Sequence, residues 1–148
     1  MNDVTEKSLS DLGFKLEFSN AYTEVYINSK QGIISCVITV DYVPIRFFIE
    51  TFNQISNVAR SSKYRKFIFD KRNLRTFHQP SMEWYFLEWK TEMVEYGLTQ
   101  HRKLLPDLQW FVKAVELARR PLLEKMPESL SQQLDIRYCD TLEQAVAE

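Results

Sequence analysis

Four aspartates, Asp41, Asp70, Asp107 and Asp140, each fall at or just beyond the carboxyl end of an apolar, strand-like run. In an open α/β sheet that edge is where ligands bind. Carboxylates gathered there could hold Mg²⁺ through oxygen ligands. The local reading is stronger: aspartate at a helix start accepts hydrogen bonds from unpaired amides and complements the positive helix end, a contribution of about 1 kcal/mol that needs no metal. Neither a metal nor a cofactor is expected.

The basic stretch Lys71-Arg72-Asn73-Leu74-Arg75, followed by His78, precedes a helix that opens near Pro80. Helix amino ends favour anions, so Lys71, Arg72, Arg75 and His78 are candidate ligands for a phosphate or carboxylate. The stretch has no glycine, and its backbone therefore cannot wrap a phosphate as a glycine-rich loop does. Its charges could equally form a solvated face or pair with Asp70. Neither His78 nor His101 lies in a metal-binding spacing, and both read as surface residues. Ser81 has no Gly-x-Ser-x-Gly turn around it, and Cys36 and Cys139 sit inside apolar runs, where a reduced thiol behaves as a small hydrophobe. With no nucleophile and base to pair by spacing, no enzymatic activity is expected.

The elements that must position these groups follow from hydrophobic period. Tyr22-Thr-Glu-Val-Tyr-Ile27 and Ile33-Ile-Ser-Cys-Val-Ile-Thr-Val40 predict a β-hairpin, with Gly32 at a turn position of positive φ. Pro44 opens a helix whose Ile45, Phe48, Ile49, Phe52, Ile55 and Ala59 share one face. Lys66-Phe-Ile-Phe-Asp70 is a short strand of the kind buried on both faces. The Pro80 helix carries a stripe of Met82, Tyr85, Phe86, Trp89, Met93 and Tyr96 and ends at Gly97, a left-handed cap. On its far side lies Trp84, and Leu87 and Val94 form an intermediate strip. These three side chains suit a homodimer or a regulatory partner. The alternative is that the helix after Pro106, or the leader, covers them.

Gln100-His-Arg-Lys-Leu-Leu105 is a weaker strand, polar in its first half. It leads into a helix with Leu108, Phe111, Val112, Val115 and Ala118, which Pro121 should stop or kink. One or two helical turns between Leu122 and Leu134, a strand Asp135–Cys139 and a small helix from Thr141 complete the chain. Thr141 stands three residues before Gln144 and Asp140 three before Glu143, the spacing of a capping box. The expected fold class is α/β: a mixed sheet of about five strands, an antiparallel hairpin then parallel strands, with about four helices. Residues 1–15 read as a loosely ordered leader with a helical turn around Ser8 to Leu12, and 16–148 as one domain.

Composition narrows the roles. The 148 residues are 45% hydrophobic and 14% aromatic, enough for one ring-rich core, and a net charge of −1 provides no overall field for nucleic acid. No signal-peptide pattern opens the chain and no apolar stretch approaches the ~20 residues of a membrane span, so a cytoplasmic protein is expected.

From about Tyr22 to Glu148 the sequence resembles the STAS/SEC14-like superfamily, in particular small stand-alone bacterial STAS-like domains. The carriers are the hairpin Glu24 to Val40, the strand and loop Lys66 to Leu74, the junction Leu104-Leu-Pro-Asp107, and the ending Arg137-Tyr-Cys-Asp-Thr-Leu-Glu-Gln-Ala145. The resemblance implies a non-enzymatic regulatory or protein-interaction module, with binding of a nucleotide or apolar ligand in some members. Anti-sigma-factor antagonists of that family carry a phosphorylatable serine in an Asp-Ser-Ser-Gly-like turn. The matching stretch here is His78-Gln-Pro-Ser81, where Pro80 falls near the acceptor position and no glycine follows, leaving Ser81 as the nearest hydroxyl. Three functions are thus open: an interaction or regulatory module, a carrier whose Lys71, Arg72 and Arg75 grip an acidic head group, and a phospho-regulated switch.

Overall fold

The structure, a computed structural model, describes residues 9–148. Its six strands form one mixed sheet in chain order: β1 (Lys15–Ser19), β2 (Thr23–Asn28), β3 (Ile33–Ile38), β4 (Lys66–Asp70), β5 (Gln100–Leu104) and β6 (Asp135–Tyr138). The first three pair antiparallel and the rest parallel, as the α/β expectation required. Gly32 turns the β2–β3 hairpin at φ +69°, where a Cβ would meet the Lys63 carbonyl oxygen at 3.2 Å. That carbonyl approach and the positive φ both call for glycine.

The sheet exceeds the expected five strands by β1, an edge strand of largely exposed residues whose Lys-Leu-Glu-Phe-Ser sequence has no buried face to mark it. The helices also exceed four: α1 (Ile45–Ser61), α2 (Gln79–Trp84), α3 (Lys90–Glu95), α4 (Gln109–Lys125), α5 (Glu128–Gln133) and α6 (Leu142–Ala147). Between α2 and α3 the chain runs without a break through a π-helical turn, Tyr85–Trp89. Pro121 does not end α4, which continues through it to Lys125 and buries Leu122.

Alternation along the strands divides the interior in two. Val25, Ile34, Cys36, Phe67 and Phe69 face a layer built by α1 through α5. Tyr26, Ile33, Val37, Ile68 and Leu104 face a thinner layer made by residues 9–14 and α6. The supposed leader is therefore part of the fold from Leu9 onward, since Leu9 and Phe14 are buried there. Its first eight residues lie outside the described residues. On this thin side Lys66 Nζ donates to the carbonyls of Ala145 and Val146, at 3.0 and 2.7 Å, and Arg102 Nη2 donates to that of Glu148 at 2.8 Å. Cations at the carboxyl end of α6 complement the negative end of the helix and satisfy its last carbonyls.

Candidate functional site

The carboxyl edge of the parallel strands holds two cavities. A narrow one of about 60 Å³ lies under the loop before α2, lined chiefly by apolar and aromatic side chains, among them Val43, Phe69, Leu74, Phe77 and Phe86. A wide cleft of about 770 Å³ opens beside it toward α4, bordered by Arg72, Arg75, Arg119, Asp107, Glu116 and Asp140. Among the described residues Lys103 alone lines both.

Lys103 reaches that place because β5 is sandwiched between β4 and β6, and its odd-numbered residues face the helical layer. Its Nζ is buried and has no hydrogen-bond partner among the described residues. It lies 4.2 Å from the ring centre of Phe86 and 4.9 Å from that of Tyr85, so ring faces partly replace lost water. Two further amines are buried nearby. Lys90 Nζ lies 4.7 Å from the Tyr85 ring and 2.7 Å from His101 Nδ1, while Lys71 Nζ sits 5.1 Å from the Phe69 ring and lines the narrow cavity. Since His101 Nε2 donates to the Leu98 carbonyl at 2.7 Å, its Nδ1 is the acceptor for Lys90 and the ring is neutral.

Charge at this site is unbalanced. Asp70 is the one carboxylate among the described buried residues, and it is held by Arg72, whose Nε and Nη2 approach its two oxygens at 2.9 and 2.7 Å. Burial pulls the Lys71 ammonium down from its usual 10.5 to about 8. Burial and then the neighbouring amines hold Lys90 and Lys103 well below the ordinary lysine range, and burial beside Lys90 does the same to His101. An amine so placed either binds an anion or stays neutral.

The π-helical turn makes the aromatic wall. An i→i+5 pattern, with the Lys90 amide donating to the Tyr85 carbonyl, brings residues five apart onto one face, so that Tyr85, Phe86, Trp89 and Lys90 all point inward. Tyr96, expected in this stripe, is exposed instead, and Lys90 takes an interior position.

The candidate anion ligands are divided rather than gathered. Lys71 and His78 line the narrow cavity, whereas Arg72 and Arg75 border the cleft. Arg75 Nη1 donates to the carbonyls of Arg72 and Leu74. His78 is the amino cap of α2, its Nδ1 accepting from the Ser81 amide and lying 2.9 Å from Ser81 Oγ. Ser81 is only 6% exposed, so its hydroxyl is turned away from any phosphorylating enzyme.

Several sequence expectations change here. Among the described residues the aspartates do not cap helices: the side-chain caps are His78 and Thr141, the Thr141 hydroxyl accepting from the Gln144 amide at 3.1 Å, while Gln144 Oε1 reaches one residue further back and accepts from the Asp140 amide at 2.8 Å. Asp41, Asp107 and Asp140 are exposed, and no acidic, histidine or cysteine group able to hold a metal forms among the described residues. His101 is fully buried, not a surface residue. Trp84 is half-buried against α1, its ring edge-on to Phe48 and Phe52 at 6.1 and 6.3 Å. Leu87 and Val94 are half-buried against the same core. Both cysteines are free and buried, and burial raises each thiol above its usual range.

Lys90, His101, Lys103 and Arg119 were not among the sequence candidates. A lysine four residues after Phe86 and three before Met93, inside an apolar stripe, was the available signal for Lys90. For His101 and Lys103 it was alternating polar residues in a strand that must be central. Compared with protein-family models, curated proteins and solved structures, the chain matches none.

Proposed function

We propose that this protein binds a small organic acid at the carboxyl edge of its sheet. The observation that carries this reading is the Lys103 amine, buried without a partner in the wall common to the apolar cavity and the cationic cleft. A buried polar group of this kind costs stability unless something pairs with it. The narrow cavity holds a few non-hydrogen atoms, the space of a short apolar tail. The cleft offers Arg75 and Arg119 to a carboxylate, with the Arg119 guanidinium placed 4.8 Å from the Tyr138 ring. Titration calorimetry with 2-hydroxybutyrate tests this: saturable binding is expected in the wild type and a loss of about tenfold or more, at least ~1.4 kcal/mol, in Lys103→Met. Equal affinity in the two proteins would sink the assignment.

A second reading is the self-associating interaction or regulatory module, of the STAS-like type the sequence resembles. Trp84, Leu87 and Val94 do not support it, but Trp110 and Leu117 do. Seven residues apart on α4, they share a helix face and are 52% and 59% exposed. Light scattering should then give twice the chain mass of 17.6 kDa for the wild type and the single-chain mass for Trp110→Glu. A wild-type monomer removes this reading. A switch through Ser81 is not proposed, because the hydroxyl is buried under His78.

A further inference from the structure

We propose that Lys103 captures the carbonyl carbon of a small 2-oxo acid as an imine, making the site covalent toward its ligand. The inference rests on the organic-acid reading above and goes beyond it in naming a reactive group and a ligand class.

Three buried amines compete for the role, and geometry selects one. Lys90 Nζ is occupied by His101 Nδ1 and borders neither cavity. Lys71 borders the apolar cavity alone. Lys103 borders both, and its Nζ has no acceptor to hold a proton on it and no donor to occupy its lone pair. The one buried carboxylate among the described residues, Asp70, is committed to Arg72. Burial and the neighbouring Lys90 and Lys71 amines lower the proton affinity of Lys103 in the same sense, which favours the neutral, nucleophilic form of its nitrogen.

A 2-oxo acid fits the order of the surroundings. Its short alkyl tail enters the cavity of about 60 Å³, its carbonyl lies at Lys103, and its carboxylate extends toward Arg75 and Arg119 in the cleft. The Nζ lone pair attacks the carbonyl carbon and forms the C–N bond, while the C=O π pair moves to oxygen, which takes up a proton. Nitrogen then gives up its protons as the oxygen departs as water through the open cleft. Amine plus ketone becomes imine plus one water, and neither an oxidant nor a reductant is consumed.

The test incubates the protein with 2-oxobutyrate and sodium cyanoborohydride, which reduces an imine to a stable secondary amine, and reads adducts by intact mass and peptide mapping. One adduct per chain is expected, on Lys103, formed roughly tenfold or more faster than on exposed Lys113. Lys103→Arg should lose it, with circular dichroism showing whether that variant is folded. Should it not fold, 2-hydroxybutyrate added to the wild type should slow labelling at Lys103 and leave Lys113 unaffected. Labelling on Lys71, or spread evenly over exposed lysines, overturns the proposal. Binding of 2-hydroxybutyrate with no adduct from 2-oxobutyrate removes the imine and leaves acid binding intact, whereas absence of both removes both.

Discussion

Trp89→Ala should destabilise the protein by about 3–5 kcal/mol in urea unfolding, the range for removing a large buried aromatic. The ring is the hub of the helical layer. It stacks on Tyr85 at 5.4 Å and 15°, meets Phe52 edge-on at 4.9 Å, and lies 4.9 Å from Phe67. Its Nε1 donates to Ser56 Oγ at 3.0 Å and to the Phe52 carbonyl at 3.2 Å, joining the π-helical turn to α1. Alanine would leave a cavity between sheet and helices, bounded by rings too rigid to collapse into it. Trp89→Phe separates the two contributions. It keeps most of the packing and loses the donor, while Ser56 Oγ still bonds the Phe52 carbonyl at 3.0 Å, so a loss of about 1–2 kcal/mol is expected. A Trp89→Ala cost below about 1 kcal/mol would mean that the ring cluster does not hold the layers together.

The sequence revealed those parts of the molecule in which burial and hydrophobicity coincide. β2, β3 and β4 bury apolar residues on both faces, and α1 has one continuous apolar stripe, so period alone placed them. β1 escaped because an exposed edge strand has no core face to imprint on its sequence. β5 reads only as a weaker strand because His101, Arg102 and Lys103 are polar, yet all three are buried. Arg102 is reconciled with burial by its bonds to the Asp135 and Glu148 carbonyls, and His101 by Lys90 and the Leu98 carbonyl. These partners lie 33 and 46 residues away for Arg102, so no local pattern announces them. The π-helical turn was illegible for a related reason. A reading at 3.6 residues per turn cannot put Tyr85 and Lys90 on one face, although the structure does. The basic loop was recognised as cationic, but its division between two cavities depends on where β5 and α4 lie.

Lys103→Met should stabilise the ligand-free protein at neutral pH by roughly 1–3 kcal/mol, while weakening its binding of small acids by about tenfold or more. Methionine matches the length of the buried stem and brings no charge into the aromatic wall. It also breaks no hydrogen bond, since Lys103 Nζ has none. The pH dependence identifies the cause. In the folded protein burial holds Lys103, Lys90 and Lys71 below the 10.5 of the unfolded chain, Lys71 at about 8. At a pH between the folded and unfolded values the unfolded chain binds more protons, so stability rises with pH there and is lost as pH falls through the folded values. Each such amine contributes a slope of up to about 1.4 kcal/mol per pH unit. The wild type should therefore gain stability from about pH 7 to 9, above which ionisation of Cys36 and Tyr85 in the unfolded chain alone works in the opposite direction. Lys103→Met should show a shallower rise, with its advantage largest at the acid end and shrinking toward pH 9. Urea midpoints measured across this range decide the matter: a destabilised variant, or parallel curves, would mean that the amine is solvated or paired in the folded state. A gain in stability together with loss of ligand is the signature of a residue whose place in the core is explained by binding and not by folding.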